Sequence, residues 1–167
     1  MKNKLKFIPA LIVYDFDGVM TDNRALVDEH GNEAVFVHRG DGYGIRMIKD
    51  ELKIPQIILS TEANPVVVRR AEKIKIPVIH NAGDSKKQIL EKYCEDNNIS
   101  AEDVMYIGND LNDFDVMMMC GLRACPADAE QEIISVSDYV FSAKGGYGVC
   151  RELYRILSEV INEQGDS

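Results

Sequence analysis

Long hydrophobic runs are missing from the 167-residue sequence, and so is a recognisable signal peptide. The basic start MKNKLK leads into a mostly apolar stretch, FIPALIVY, of only eight residues before Asp15 and Asp17 end it. A membrane-spanning helix needs roughly 18 apolar residues, and no small-residue cleavage site follows this stretch. We therefore expect no membrane partner and a soluble, cytoplasmic protein.

Cysteine is scarce, with four residues in the chain. No pair has the C-x-x-C spacing of a zinc site, and the density is far below that of a disulfide scaffold. We therefore expect buried, reduced thiols at Cys94, Cys120, Cys125 and Cys150.

Basic residues are also in short supply, because 19 Lys and Arg face 28 Asp and Glu and leave a formal charge of −9. A surface of this sign repels the phosphate backbone of DNA and RNA. We therefore expect no nucleic-acid partner.

Internal repeats, low-complexity tracts and linkers are absent, and the length is that of one ordinary domain. We therefore expect a single domain over residues 1–167. Its C-terminal tail, about residues 144–167, carries the run Gly145-Gly146-Tyr147-Gly148. The last five residues, 163–167, are polar and are expected to fray.

Short apolar, β-rich runs alternate with helical patterns along the chain, as in a sheet covered on both faces. The predicted strands are residues 10–14, 56–59, 77–79, 104–107 and 139–141. One predicted helix begins at Pro65 after the N-cap Asn64, and another, capped by Asp84, runs to about Asn97. A third runs over 113–120 before Gly121. The final helix carries Val149, Leu153, Ile156, Leu157 and Val160 on one face. This order predicts a three-layer α/β fold with a central parallel sheet, whose site lies beyond the carboxyl ends of the strands.

One segment departs from this alternation directly after the first strand. Residues 24–29 and 33–39 alternate in polarity around His30-Gly31-Asn32, which predicts a β-hairpin flap over about residues 24–39. Such a flap could cover a site or join subunits.

Two carboxylates, Asp15 and Asp17, stand where the first buried strand ends. Residues two apart on a strand face the same side at roughly 7 Å, so their repulsion needs a cation or a shared proton. A calcium loop does not fit, because Val19 occupies the fifth position and no helix precedes the motif. The alternative is a solvated strand end that happens to be acidic.

A second polar cluster, residues 108–113 (GNDLND), follows the strand at 104–107. Oxygen ligands from two strand ends suit a hard cation such as Mg²⁺. Taken alone, the cluster could also be a turn that caps the next helix. Ser60-Thr61 ends another strand, and Ser60 could bind phosphate or serve as a cap. Lys86 lies in the first turn of a helix and could bind phosphate or be a surface lysine.

Together these motifs resemble the four motifs of the haloacid dehalogenase superfamily of phosphohydrolases, in order and over nearly the whole chain. The resemblance implies a Rossmann-like fold in which Asp15 is the nucleophile, Asp17 the general acid/base, Ser60 the motif-two hydroxyl and Lys86 the motif-three lysine. It also implies a Mg²⁺ site that draws on Asp15, Asp17, Asn109, Asp110 and Asp113.

The absence of room for a cap domain, together with the segments 41–45 and 145–148, the latter before Arg151-Glu152, is similar to the small subgroup acting on 3-deoxy-2-ulosonic acid phosphates. The resemblance implies a Mg²⁺-dependent phosphatase of a sugar-acid phosphate and a homotetramer. In that case the hairpin, or the 145–148 tail of a neighbour, would exclude water from the site.

Two positions depart from the usual motifs. Asn109 stands where an aspartate is usual, and Ser60-Thr61 replaces Thr-Gly. A similar pattern occurs in the phosphatase-like domain attached to animal CMP-sialate synthetases. The alternative function is therefore a weak or inactive assembly domain that partners a CMP-sugar-acid synthetase.

Substrate choice is predicted from Thr61, Glu62, Arg70 and Lys73, which follow motif two. Continuing the helix periodicity back to Glu62 puts Glu62, Arg70 and Lys73 on one face. Glu62 would accept from sugar hydroxyls, and the cations would meet the carboxylate in the same or a neighbouring subunit. Similar positions in the nonulosonate phosphatases favour a nine-carbon acid 9-phosphate, with the eight-carbon octulosonate 8-phosphate next. The alternative for these residues is a solvated helix face.

Overall fold

A six-stranded parallel sheet forms the centre of the computed structural model, which describes residues 5–80 and 85–165. The strands are β1 (Leu11–Tyr14), β4 (Gln56–Leu59), β5 (Val78–Ile79), β6 (Val104–Ile107), β7 (Leu122–Cys125) and β8 (Tyr139–Val140), in the spatial order β5-β4-β1-β6-β7-β8. The central strand β1 pairs in parallel with both β4 and β6. The carboxyl ends of these three strands are therefore neighbours, which confirms the predicted architecture.

In the described part of the chain, six α-helices cover the two faces of the sheet. They are α1 (Arg39–Met47), α2 (Val66–Ile74), α3 (Lys86–Asp96), α4 (Phe114–Met119), α5 (Gln131–Val136) and α6 (Val149–Gly165). Alternate residues of β1 belong to the two hydrophobic cores of the molecule. Ile12 packs in the core that includes α1, α2 and α6, whereas Val13 packs in the core that includes α3, α4 and α5. All of β1, β4 and β6 is buried, as the near-continuous apolar runs predict.

The predicted hairpin is a separate two-stranded antiparallel sheet, formed by β2 (Thr21–Val27) and β3 (Glu33–Val37). Its turn is closed by Asp28, whose carboxylate accepts from the backbone of His30 and Asn32. The hairpin leaves the main sheet immediately after the Asp15–Asp17 motif and therefore stands beside the strand ends.

Several boundaries differ from the sequence predictions. Residues 163–165 continue α6 and are not frayed. The Asp84 cap predicted for α3 lies outside the described residues. Gly121 lies two residues beyond the end of α4 and is needed for close packing, since a Cβ there would stand 1.8 Å from the carbonyl oxygen of Glu102.

All four cysteines are buried free thiols, as predicted. Helices long and apolar enough to cross a membrane do not occur in the part of the chain that the structure describes.

Candidate active site

The carboxyl ends of β4, β1 and β6 open into one cavity of about 140 Å³. Seven of the predicted site residues line it: Asp15, Asp17, Ser60, Thr61, Glu62, Asn109 and Asp110. Residues nearly a hundred positions apart in sequence thus meet, because the three strands that carry them are adjacent in the sheet.

Lys86 bridges two buried carboxylates beneath this cavity. Its Nζ donates to Asp15 Oδ1 and to Asp113 Oδ1, each at 2.8 Å, and its side chain is only 2% exposed. Burial lowers the pKa of Lys86, but the Asp15 and Asp113 carboxylates more than offset this effect and raise the pKa above its ordinary value. Lys86 is therefore a fixed positive charge in the site.

Asp15 has an altered acidity in this environment. Burial, and after it the Asp113 carboxylate, raise the pKa of Asp15 to about 7 against the lowering effect of Lys86. Two carboxylates share one lysine here, so negative charge is under-compensated. A cation bound at Asp15 would remove this imbalance.

Asp113 does not fit the predicted role of metal ligand. Its Oδ1 accepts from Lys86 Nζ and from the Tyr106 hydroxyl, each at 2.8 Å, and its Oδ2 accepts from the backbone of Asn109 and Asp110. The side chain is fully buried, and its acceptor positions are already used. Asp113 is therefore a positioning residue that holds Lys86 and the 108–113 loop.

Asn109 is better placed than Asp113 to hold a metal ion. One atom of its side-chain amide lies 2.8 Å from the backbone oxygen of Asp17 and 3.1 Å from Asp15 Oδ2. If that atom is the amide nitrogen, it donates to both oxygens. If it is the amide oxygen, it converges with the Asp17 backbone oxygen and Asp15 Oδ2 to form a set of three oxygens. Neighbouring ligands of an octahedral Mg²⁺ at 2.0–2.1 Å stand about 2.9 Å apart, so the second arrangement fits that cation.

Gly18 makes room for this arrangement. Its φ of +81° is in the left-handed region, and a Cβ at this position would stand 2.1 Å from the Asn109 amide. The backbone turn that brings the Asp17 carbonyl to Asn109 therefore requires glycine. The three possible metal ligands are thus the side chains of Asp15 and Asn109 and the backbone oxygen of Asp17. Clusters of three or more His, Cys, Asp or Glu side chains that could hold a metal ion are not found among residues 5–80 and 85–165.

Asp17 points into the cavity with its carboxylate held by Thr21, whose hydroxyl donates to Asp17 Oδ1 at 3.3 Å. Burial, followed by the nearby Glu62 carboxylate, raises the pKa of Asp17. A partly buried carboxyl with raised pKa is suited to carry a proton to or from a reacting group.

Ser60 and Thr61 border the opposite side of the cavity. The Ser60 hydroxyl accepts from the backbone of Glu62 at 3.1 Å and is buried. This bond uses a lone pair and leaves the hydroxyl hydrogen for a ligand oxygen.

Glu62, Arg70 and Lys73 do not share one face, so this prediction is wrong. Glu62 faces Asp17, whereas Arg70 and Lys73 line a different cavity of about 690 Å³ beside α1. Arg70 Nη2 donates to the carbonyl of His38 at 3.0 Å. Residues 62–65 precede α2 and are not helical, so helix periodicity cannot be continued back to Glu62.

The 145–148 tail packs against the first loop of its own chain. The Gly146 amide donates to the carbonyl of Val19 at 2.9 Å, and a Cβ on Gly145 would stand 2.0 Å from the carbonyl of Gly18. In this chain the tail supports the 15–22 loop from behind.

Four residues of the site were not predicted from the sequence: Thr21, Asn23, Tyr106 and Asn112. Thr21 and Tyr106 bind the carboxylates of Asp17 and Asp113, and Asn23 and Asn112 line the cavity. Asn23 has a φ of +64°, a backbone conformation that asparagine tolerates better than most residues. Its position just after the Asp17 motif was the one feature of the sequence that could have identified Asn23 as a site residue.

Comparison with known proteins agrees with this geometry. The profile of the haloacid dehalogenase-like hydrolases matches residues 43–153, about two thirds of the chain. The chain belongs to this family. A 3-deoxy-D-manno-octulosonate 8-phosphate phosphatase of Haemophilus influenzae is 30% identical over 167 residues, which are 100% of this chain and 90% of that protein.

Solved structures of haloacid dehalogenase-like hydrolases have the same fold. A protein of Streptomyces avermitilis described as a HAD family hydrolase is 39% identical, with a TM-score of 0.87 and coverage of 93% of this chain and 88% of that one. The octulosonate 8-phosphate phosphatase of Moraxella catarrhalis, in complex with magnesium, phosphate and KDO, is 26% identical, with a TM-score of 0.86 and coverage of 93% and 88%.

These relatives identify the chain as a phosphatase of the haloacid dehalogenase superfamily without a separate cap in the described residues. Mg²⁺, predicted as the cofactor, is confirmed for this group by the magnesium-bound relative. The family profile begins at residue 43, after Asp15 and Asp17, whereas the Haemophilus relative aligns over the whole chain. The roles of the individual residues therefore remain predictions that rest on geometry.

Proposed function

We propose that this protein hydrolyses the phosphate monoester of a 3-deoxy-2-ulosonic sugar acid with Mg²⁺ as cofactor. The observation that carries the proposal is the meeting of Asp15, Asp17 and Asn109 around one cavity, with the buried Lys86 bound to Asp15. The relatives named octulosonate 8-phosphate phosphatases support the eight-carbon substrate. The positions of Glu62, Arg70 and Lys73, which are similar to those of nonulosonate phosphatases, favour a nine-carbon acid, but the named relatives make the eight-carbon acid the first choice.

Asp15 is the proposed nucleophile. Its carboxylate attacks phosphorus, the bond from phosphorus to the sugar oxygen breaks, and an aspartyl-phosphate forms. When bound, Mg²⁺ supplies positive charge that reduces repulsion between Asp15 and the phosphoryl oxygens and stabilises the transition state. Asp15 Oδ2, the Asp17 carbonyl and Asn109 would hold the ion, with Asp110 available at the rim.

Asp17 is the proposed general acid and base. Its raised pKa favours a carboxyl proton, which passes to the departing sugar oxygen as the first bond breaks. The resulting carboxylate then takes a proton from water as the water oxygen attacks phosphorus. Asp15 leaves as a carboxylate, inorganic phosphate is released, and both aspartates return to their starting states.

Lys86 and Ser60 are the proposed phosphate-binding groups. An ammonium has three donors, and two of those on Lys86 bind Asp15 and Asp113. The third is available for a phosphoryl oxygen, as is the Ser60 hydroxyl. Both would offset the charge that develops on phosphoryl oxygens in the transition state.

A homotetramer is the proposed assembly. The outer face of the hairpin exposes large apolar side chains, with Leu26 at 68% and Phe36 at 72%. Arg70 and Lys73 lie outside the chain's own site, so they could contribute to substrate binding only in a neighbouring subunit. Burial of the hairpin face between copies would supply such a neighbour.

The alternative function, an assembly domain partnering a CMP-sugar-acid synthetase, is favoured by the neutral Asn109 and by Ser60-Thr61 in motif two. An assembly domain has no need of two buried carboxylates around a buried lysine, because a buried charge cluster costs stability unless function retains it. Activity of the isolated protein distinguishes the two functions.

A substrate panel tests the proposal. Phosphate release should be measured with octulosonate 8-phosphate, a nine-carbon sugar-acid 9-phosphate and glucose 6-phosphate, each with Mg²⁺ and with EDTA. We expect Mg²⁺-dependent hydrolysis with the highest kcat/KM for the octulosonate ester. Failure to hydrolyse either sugar-acid ester, or equal activity with EDTA, would contradict the proposal.

A further inference from the structure

Tyr106 is a fully buried residue of β6, and its ring packs in the core that includes α3, α4 and α5. Val13 of the central strand stands beside it in the sheet and packs in the same core. Asp15 follows two residues later, where side chains return to the same face of a strand. Lys86 is the first residue of α3, which covers this face. Tyr106 therefore lies on the side of the sheet from which Lys86 reaches the site.

The Tyr106 hydroxyl donates to Asp113 Oδ1 at 2.8 Å. The same oxygen accepts from Lys86 Nζ at 2.8 Å, so the hydroxyl and the ammonium occupy the two lone pairs of one carboxylate oxygen. Burial, and after it the Asp113 and Asp15 carboxylates, raise the pKa of Tyr106 well above its ordinary value. The hydroxyl therefore keeps its proton and remains a donor to Asp113.

The orientation of the Lys86 ammonium depends on this arrangement. Its Nζ stands between Asp15 Oδ1 and Asp113 Oδ1, at 2.8 Å from each. An ammonium has three N–H bonds at tetrahedral angles, so two of them, once directed, fix the direction of the third. The two carboxylates therefore decide where the remaining N–H of Lys86 points, and this is the donor proposed above to bind a phosphoryl oxygen.

The hydroxyl also limits how closely Lys86 can associate with Asp113. Because Tyr106 occupies one lone pair of Oδ1, the ammonium approaches along the other. Without the hydroxyl, Oδ1 would attract the cation more strongly, and Lys86 would move toward Asp113 and away from Asp15. Asp113 Oδ2 offers no alternative position, because it accepts from two backbone amides of the 108–113 loop.

We propose that Tyr106 is a positioning residue for the phosphate-binding group: its hydroxyl keeps Lys86 shared between Asp113 and Asp15 and so directs the third N–H of the ammonium to a phosphoryl oxygen. The inference rests on the proposed function and adds to it a residue that does not itself contact the substrate. The alternative is a tyrosine that only fills the core and satisfies its hydroxyl on Asp113. The two differ in what happens to anion binding when the hydroxyl is removed.

Anion binding by Tyr106→Phe tests the inference without catalysis. The dissociation constants of inorganic phosphate and orthovanadate are measured by titration calorimetry in the presence of Mg²⁺. Five-coordinate vanadate resembles phosphorus during attack, when the charge that Lys86 offsets is greatest. We expect about tenfold weaker binding of vanadate, against a loss of about threefold or less for phosphate. Unchanged binding, or losses of equal size for the two anions, would overturn the inference.

Tyr14→Phe is the matched control. Tyr14 is also fully buried and lies on the neighbouring strand β1, but it packs in the other core, where its hydroxyl donates to Gln56 Oε1 at 2.7 Å. The variant removes the same atom from outside the Lys86 network, so it should bind both anions like the wild type. Losses as large as those of Tyr106→Phe would assign the effect to core packing and contradict the inference. Urea unfolding checks that both variants are folded.

A double-mutant cycle tests whether Tyr106 acts through Lys86. Lys86→Met removes the ammonium, and in that background Tyr106→Phe should change the vanadate affinity by less than about twofold. A further loss of about tenfold would show that Tyr106 acts independently of Lys86, against the inference. If Lys86→Met does not fold, the comparison of vanadate with phosphate in Tyr106→Phe decides alone.

The outcomes keep the inference separate from the proposed function. If the anions bind and depend on Tyr106 as described, but no sugar-acid phosphate is hydrolysed, the proposed function fails and the inference stands. If the wild type hydrolyses the ester and Tyr106→Phe binds both anions and turns over normally, the inference alone fails. If the wild type neither hydrolyses the ester nor binds either anion, both fail.

Discussion

At the scale of single residues, the site depends on how a small number of charges are compensated. Lys86 lies between Asp15 and Asp113 and stays protonated because both carboxylates raise its pKa. One lysine cannot balance both acids, and the remaining negative charge faces the Asn109 amide and the Asp17 carbonyl. A divalent cation is therefore favoured at the same place where a phosphoryl group must approach.

Asn109 provides the first test at this scale. Asn109→Asp adds a negative charge to the three-oxygen set, and we expect about tenfold tighter Mg²⁺ binding, equivalent to about 1.4 kcal/mol. Titration calorimetry with Mg²⁺ measures this without substrate. Asn112→Asp is the matched control, because it adds the same charge to the cavity lining outside that set. Equal or weaker binding in Asn109→Asp would show that Asn109 is not a ligand.

Site residues at strand ends were predictable because their signal is local. Asp15 and Asp17 end a fully buried strand, and a carboxylate pair there has no structural explanation. Asp113 was misassigned because sequence spacing does not reveal that Tyr106, Lys86 and two backbone amides use its oxygens.

At the scale of secondary-structure elements, glycine content obscured one helix. Helix α1 contains three glycines and was not predicted, yet Gly44 packs against α6 so closely that a Cβ would stand 2.6 Å from the Cys150 carbonyl. Asp41 of the same helix accepts from the backbone of Cys150 and Arg151 and so caps α6. The helix exists because of these tertiary contacts and not because of its own propensity.

Strand β7 was missed for a related reason. It is four residues long and contains Arg123, whose side chain is compensated by Asp138 beside β8. The Asp138 carboxylate accepts from Arg123 through Nε at 3.0 Å and also binds Lys6. Although burial raises the pKa of Asp138, these hydrogen bonds more than offset it and lower the pKa to about 2.

The Asp138 pair predicts a pH dependence of stability. The pKa in the folded chain is about 2 and that of an unfolded aspartate about 3.9, so the stabilisation is fully present above pH 4. It is lost as the pH falls from about 4 to 2. Because Lys6 is largely exposed, we expect Asp138→Asn to lower the free energy of unfolding at pH 7 by only about 1–2 kcal/mol.

Urea unfolding at several pH values measures this effect. The difference between wild type and Asp138→Asn should shrink toward zero between pH 4 and pH 2. Asp96→Asn, which removes an exposed partner of Lys92 on α3, should change stability by less than about 0.5 kcal/mol. A constant difference for Asp138→Asn down to pH 2 would contradict the account.

At the scale of the whole molecule, the hairpin has two different faces. The inner face lines a cavity of about 220 Å³ beside the site through Glu33 and Val35, and the outer face exposes Leu26 and Phe36. One element can therefore shape the substrate space of its own chain and associate with another copy. The alternation of apolar and polar residues in the hairpin was visible in the sequence. Which of its two faces lies beside the site depends on how the hairpin packs against the rest of the chain.

Assembly is tested by light scattering of the protein at assay concentration. We expect a tetramer for the wild type and smaller species for Phe36→Glu, because a charge on the outer hairpin face opposes its burial. Met118→Glu, which places the same charge on an exposed apolar position of α4, should leave the tetramer intact. A wild-type monomer with full activity would remove the assembly proposal.

The most direct test of the central claim is to trap the phosphorylated form of Asp15. Wild-type protein is mixed with octulosonate 8-phosphate and Mg²⁺, quenched within one turnover and treated with borohydride, which reduces an acyl phosphate to an alcohol. Peptide mass spectrometry should then find homoserine at position 15. The Asp15→Asn variant should show no such product and should turn over at least about a thousandfold more slowly. Aspartate unchanged at position 15 during rapid turnover, or near-normal activity of Asp15→Asn, would contradict the account.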